Sequence, residues 1–176
     1  MTRHWEWITR LVHENGWKSG AEIGVQVGES LFYILDHCPD LRMIGVDVWN
    51  FQPEKGLDFI YNRLNPRFPH RNNEIIVKRK AVKYSGRLWL LKMLSVEAAK
   101  RVKDGSLDFV FIDADHTTQG VKEDILAWKP KLKKTGFLCG HDAGKRSIKI
   151  ALDIMVPGWK YWGPQYDNCW SEREIV

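Results

Sequence analysis

AEIGVQVGES, residues 21–30, decides how this chain folds. Five residues, Ala21–Val25, read as a short buried strand that runs into two glycines, Gly24 and Gly28. Ser30 then opens a helix whose Leu31, Ile34, Leu35 and Cys38 recur at i, i+3, i+4 and i+7. Three more runs repeat the theme: MIGVDVW (43–49), LDFVFIDADH (107–116) and GFLCGHD (136–142). Each is an apolar strand that stops at Gly, Asp or His. In a parallel α/β sheet the carboxyl ends of strands are where ligands bind. Glycines after the first strand let a nucleotide-like ligand approach the backbone, and Asp47, after the second, sits where a ribose diol is held. The other runs add Asp113, Asp115, His116, His141 and Asp142 to the same rim.

Between these runs, strand and helix patterns alternate without repeats or low complexity. Helices are predicted at 3–14, 57–64, 73–84, 95–103, 118–129 and about 146–155, with a Pro- and Asn-rich loop, NPRFPHRNN, between the second and third of these. Strands are predicted at Ala21–Val25, Met43–Asp47, Arg87–Met93, Leu107–Ile112 and Phe137–Gly140. The tail, WKYWGPQYDNCWSEREIV, suits a closing antiparallel hairpin. Repeated βα units predict an α/β fold, a doubly wound, mostly parallel sheet with helices on both faces. The 176 residues fit a single domain: an N-terminal helix and entry loop (1–20), a core (21–155) and the hairpin (156–176).

Composition narrows the partners. Hydrophobic residues at 44% and charged residues at 28% are ordinary for a globular protein. No stretch reaches the roughly 18 uninterrupted apolar residues of a membrane span, and MTRHWEWITR has no apolar signal core, so a cytoplasmic location is expected. Cys38, Cys139 and Cys169 are odd in number and far apart, which reads as reduced thiols rather than a disulfide framework or a zinc site. The net charge of +5 gathers in Lys78–Lys83, Lys129–Lys134 and Lys145–Lys149. These runs read as solvated helix faces and helix ends, with a weak polyanion surface as the alternative. Nine tryptophans are many for this length; they read mainly as core or lid anchors, with a stacking platform for an acceptor as the other reading.

The Gly24/Gly28 pair is not a GxGxxG loop and by itself fits any tight strand-to-helix turn. Glu22 sharpens it. A carboxylate inside an apolar strand costs several kcal/mol unless it is paired or hydrogen-bonded, and a ligand's ammonium group would be a suitable partner.

AEIGVQVGES, IGVDVW, SVEAAKRVKDGSLDFVFIDADHTTQGVKEDI and GFLCGHD together resemble the class I S-adenosylmethionine-dependent methyltransferases over about residues 20–155. DFVFIDADH followed by GHD is the specific part, and the nearest flavour is the small-molecule O-methyltransferases of the caffeoyl-CoA/catechol and macrolide-sugar types. The resemblance implies a Rossmann-like fold and S-adenosylmethionine as cofactor, with S-adenosylhomocysteine as product. It assigns the methionine portion to Glu22, Gly24, Gly28 and Ser30. It assigns the ribose to Asp47, the adenosine surroundings to Val48 and Trp49, and the adenine wall to Leu94 and Ser95. Met93-Leu94 departs from the Gly-Asp common in the family, exchanging a polar adenine contact for an apolar one. In the metal-dependent members the ends of strands four and five ligate Mg²⁺, which here implies Asp113, His141 and Asp142. Asp113 and Asp142 suit a hard cation, whereas the His141 nitrogen favours Mn²⁺ or a softer ion, or is no ligand. The alternative is that both acids only hydrogen-bond loop amides and cofactor.

His116, three residues after Asp113, falls where these families carry the base that deprotonates the acceptor hydroxyl; otherwise it caps the next helix with Thr117 and Thr118. Asp113 and His116 are thus the candidate catalytic pair. The acceptor pocket needs a cover, either the Trp5/Trp7 helix or a second subunit in a homodimer. The expected activity is methylation of a hydroxyl on a small molecule or sugar. Two other readings remain, RNA ribose methylation and a non-catalytic nucleotide-binding module. Asp-Ala-Asp-His in place of an Asn/Asp-Pro-Pro-Tyr/Phe motif disfavours amino methylation of nucleic-acid bases.

Overall fold

A computed structural model describes residues 2–49 and 73–174. The helix expected at 57–64 lies outside the described residues. Seven strands form one sheet: β1 (Ser19–Ile23), β2 (Arg42–Asp47), β3 (Leu88–Lys92), β4 (Leu107–Ile112), β5 (Leu132–Gly140), β6 (Lys160–Tyr161) and β7 (Trp170–Ser171), in the order β3-β2-β1-β4-β5-β7-β6. Strands β1 to β5 pair in parallel, and β7 runs antiparallel to both β5 and β6. Among the described residues six α-helices accompany them: α1 (His4–Asn15), α2 (Glu29–His37), α3 (Asn73–Ala81), α4 (Ser95–Ala99), α5 (Thr118–Trp128) and α6 (Arg146–Met155).

The inner strands read as unbroken apolar runs because both faces of the sheet are covered. Along β4 the side chains alternate between two cores. Phe109 and Phe111 pack with Trp7 and Leu11 of α1 and Leu31 and Leu35 of α2. Val110 and Ile112 pack with Val121, Ile125 and Trp128 of α5 and Leu152 of α6. Trp7, Trp128 and Trp170 are among the largest fully buried side chains, the anchor role expected of the tryptophans. β5 begins five residues before the predicted start, because its exposed Lys133-Lys134-Thr135 carries no apolar signal. The tail forms a short antiparallel pair whose β7 covers the edge of β5, with Gly140 opposite Trp170.

On one side of β1 the chain runs to β2 and β3, on the other to β4 and β5. The strand order therefore reverses between β1 and β4, the place where open α/β sheets bind ligands. Gly24 sits there with φ +97°, and a Cβ built on it would lie 2.0 Å from the Asp113 carbonyl oxygen. The missing side chain makes room for the protein's own backbone. Gly24→Ala is expected to destabilise the fold by several kcal/mol, since the clash is with main chain and φ is unfavourable for any Cβ. Urea unfolding checks this; a change under about 1 kcal/mol would contradict the close approach of β1 and β4.

Candidate active site

A cavity of about 1040 Å³ opens over the carboxyl ends of β1, β2, β4 and β5. It is at the upper end of the size range for small-molecule sites, roomy enough for a nucleoside cofactor and a second ligand. Gly24, Ser30, Asp47, Val48, Leu94, Ser95, Asp113, His116, His141 and Asp142, all expected at the site, line it. Glu22, Gly28 and Trp49 stand behind the wall.

Asp47 ties the two loops at the cavity floor together. Its Oδ2 accepts the Gln26 amide at 2.8 Å and its Oδ1 the Trp49 amide at 2.7 Å, while the Trp49 indole donates to the Gln26 carbonyl at 2.8 Å. Gln26 (φ +52°) and Trp49 (φ +40°) are both left-handed, a conformation that costs a non-glycine residue about 1 kcal/mol or more and persists here because Asp47 holds both amides. The indole N–H of Trp49 is thereby anchored to the Gln26 loop.

Behind Gly24, Glu22 is fully enclosed. The Ser30 hydroxyl donates to its Oε1 at 2.5 Å, and its Oε2 is buried without a hydrogen-bond partner. Burial pushes the carboxyl up to about 8, against the smaller opposing effect of the Ser30 bond, so Glu22 is protonated at neutral pH.

Opposite this floor, the ends of β4 and β5 bring four groups together. The register that pairs Ile112 with Gly140 sets Asp113 beside His141. His116 Nε2 lies 2.8 Å from Asp142 Oδ2 and 3.5 Å from Asp113 Oδ1, as ion pairs without an aligned N–H···O bond. His141 Nδ1 lies 3.6 Å from Asp113 Oδ1 and 3.7 Å from Asp142 Oδ1, and Lys145 Nζ is 2.6 Å from Asp142 Oδ2. Contacts with Asp113 and then Asp142 raise His116 to about 9, outweighing desolvation. Burial would raise Asp113, but His116 and His141 outweigh it and hold the carboxyl below its usual range. His116 and then Lys145 hold Asp142 far below that range. Two anionic carboxylates and an imidazolium therefore face the cavity. His116 does not cap α5; that role belongs to Thr117, whose hydroxyl accepts the Gly120 amide.

The sequence reading missed several lining groups. Asp124, buried on the inner face of α5, joins the wall near Ser95, and burial lifts its carboxyl to about 6 despite a Ser95 hydrogen bond. Ser95 Oγ also accepts the Trp128 indole at 2.8 Å. An acid between Val121, Ile125 and Trp128 on a helical stripe is a signal that could have found it. His4 and Trp5 of α1 also line the cavity, whereas Trp7 goes to the core.

Many of the basic side chains meet acids: Lys78 with Glu74 at 2.7 Å, Lys131 with Asp104 at 2.5 Å and Lys133 with Asp108 at 2.7 Å. Cys38, Cys139 and Cys169 are free and buried. No helix among the described residues is long and apolar enough to cross a membrane.

Comparison with known proteins agrees with this geometry. A family model described as a methyltransferase domain matches residues 21–143. No curated protein matches the chain. Among solved structures, a putative caffeoyl-CoA O-methyltransferase from Staphylococcus aureus has a TM-score of 0.66 at 17% identity, over 95% of this chain and 80% of that one. The S-adenosylhomocysteine-bound Podospora anserina methyltransferase PaMTH1 has 0.66 at 15%, over 95% and 76%. An O-methyltransferase from Bacillus cereus in complex with the same compound has 0.65 at 14%, over 95% and 78%. With the strand order, the rim acids and the matched segment in agreement, this chain belongs to the methyltransferase-domain family and is an S-adenosylmethionine-dependent methyltransferase.

Proposed function

We propose that the protein methylates a hydroxyl group on a small molecule or sugar, and that a divalent cation, Mg²⁺ or Mn²⁺, held by Asp113 and Asp142 assists. The observation that supports this best is the convergence, in one cavity, of two anionic carboxylates and His116 opposite the Asp47 loops. The residues fit both groups. Glu22 Oε2, buried and without a hydrogen-bond partner, is an orphan that a ligand's ammonium would satisfy. Asp47 keeps lone pairs beyond those its two amides use, enough to accept from a ribose diol. The adenine wall is Val48, Leu94 and Ser95, with Asp124 restoring the polar character that Met93-Leu94 gives up. Asp113 and Asp142 offer the oxygens a hard cation prefers, and the His141 imidazole stands beside them.

When bound, S-adenosylmethionine supplies the electrophilic methyl group, and the protein's contribution is chiefly position. A cation at the two carboxylates would supply a lowered pKa for the acceptor hydroxyl. His116 is the residue to accept that proton, at Nε2. With both carboxylates drawing on it, the ring is charged near neutrality and holds its proton; a cation that engages them removes the cause. His4 and Trp5 limit water on the acceptor side. On this reading residues 1–176 act as one domain in the cytoplasm.

The test is chelation. Excess chelator is expected to lower turnover on a hydroxyl acceptor to background, and Mg²⁺ or Mn²⁺ to restore it. Full turnover in chelator would remove the cation from the account and leave the carboxylates a positioning role.

A further inference from the structure

His141 has carboxylates on one side and a second cluster on the other. While Nδ1 faces Asp113 and Asp142, Nε2 lies 3.6 Å from Asp167 Oδ2, buried and without a hydrogen bond. Asp167 Oδ2 is in turn 2.8 Å from His4 Nδ1, and the His4 and His141 rings stand 4.5 Å apart between centroids. One ligand atom from each of His4, His141 and Asp167 lies within 4.8 Å of the others. These side chains are 12%, 17% and 14% exposed.

We propose that His4, His141 and Asp167 form a second metal site, for a zinc-like transition ion, distinct from the Asp113–Asp142 carboxylate pair. Two imidazole nitrogens and one carboxylate oxygen suit zinc and its borderline neighbours, not magnesium. A neutral imidazole has one lone pair. In the neutral tautomer that carries its proton on Nδ1, toward Asp113 and Asp142, the lone pair of His141 is on Nε2, facing His4 and Asp167. A ligating histidine whose other nitrogen donates to a carboxylate is the arrangement that fixes tautomer and ring orientation at metal sites. It also answers why a histidine stands where an oxygen ligand is expected beside Asp142: His141 serves the hard-ion site as a hydrogen-bond donor and the other site as a ligand.

The spacing is close to what a metal needs. Bonds of about 2.0–2.2 Å in a tetrahedral shell set ligand atoms about 3.3–3.6 Å apart. The His141–Asp167 separation already fits, and the His4–Asp167 contact opens by about half an ångström. His4 is steadied by stacking on Phe111, centroids 5.5 Å apart at 11°. Asp167 sits on a left-handed turn, φ +57°, between β6 and β7. His4 and His141 both line the cavity, which provides an entry path and leaves a coordination position open. The ion would join the first turn of α1, the end of β5 and the hairpin turn, three segments far apart in sequence. Because it binds only the folded arrangement, it would raise stability by mass action.

The test is a Co²⁺ titration of the full chain, followed by visible absorption, with Mg²⁺ in excess to occupy the carboxylate pair. The wild-type protein is expected to develop the bands of a low-coordinate nitrogen- and oxygen-ligated Co²⁺, and Zn²⁺ to raise its melting temperature. His4→Gln and Asp167→Asn should each lower Co²⁺ affinity at least tenfold and abolish the Zn²⁺ shift, while retaining wild-type circular dichroism. Asp142→Asn should keep the bands. Unchanged affinity in His4→Gln and Asp167→Asn, or loss of the bands in Asp142→Asn, would overturn the second site without touching the methyltransferase reading.

Discussion

His116→Ala is expected to cut turnover on a hydroxyl acceptor by about a hundredfold or more, about 2.7 kcal/mol of barrier, with S-adenosylhomocysteine affinity nearly unchanged. The side chain reaches Asp113 and Asp142 rather than the Asp47 loops, so its removal takes away a proton acceptor and leaves the nucleoside end of the cavity alone. Its pH behaviour follows from the same contacts. Raised to about 9 by Asp113 and Asp142, the ring is protonated across neutral pH when the carboxylates are unengaged. A cation that engages the carboxylates should bring the ring's loss of its proton below pH 9, so the cation-supported rate should rise along an acidic limb there, and the alanine variant should lose that limb. Rate–pH profiles of both proteins in Mg²⁺ check each part. A variant with near-normal turnover would make His116 a loop residue and pass the base to His141.

Glu22→Gln is expected to stabilise the protein at alkaline pH while weakening its ligand. The Glu22 carboxyl ionises near 4.5 when unfolded and near 8 in the fold, because burial disfavours the charge. Below about pH 4 both states hold the proton. From there to about 8 the unfolded chain sheds it and the native one does not, so the stability this group confers at low pH drains away as pH rises. The full shift is worth on the order of 5 kcal/mol. Glutamine keeps an acceptor for the Ser30 hydroxyl and carries no proton to lose. Urea unfolding at pH 6 and pH 9 should show the difference between variant and wild type growing by a few kcal/mol; parallel curves would contradict a protonated Glu22. The same substitution should lower S-adenosylhomocysteine affinity about tenfold, since a bound ammonium would favour loss of the carboxyl proton and pair with the carboxylate, whereas an amide cannot ionise. A carboxyl that costs stability and gains binding is the expected signature of a functional group in a core.

The parallel strands were legible because enclosure on both faces leaves long apolar runs, and the rim acids because they stop those runs. Asp47, Asp113, His116, His141 and Asp142 could all be read as strand ends, and the structure brings them to one cavity. Other features depend on contacts that no local pattern records. The helix predicted over 95–103 closes at Ala99, giving way to turns before β4. Gly24 is glycine because Asp113 backbone crosses it, a contact between segments some 90 residues apart. The Trp49 indole donates to the Gln26 carbonyl, a contact no local pattern announces. His4 and Asp167 lie 163 residues apart and meet only because α1 and the hairpin close over the same end of the sheet. Protonation was equally out of reach: the sequence shows an acid in a strand, but only complete enclosure makes Glu22 neutral.

The floor of the cavity, built on Asp47, is expected to hold the nucleoside of S-adenosylmethionine. Titration calorimetry of S-adenosylhomocysteine into wild type and Asp47→Ala tests it most directly. Losing hydrogen bonds to a charged acceptor, and the two amides it clamps, should reduce affinity by about tenfold or more. Saturable binding by the wild type with that loss in the variant is the predicted result; equal affinity in the two proteins, or no binding by either, would contradict it.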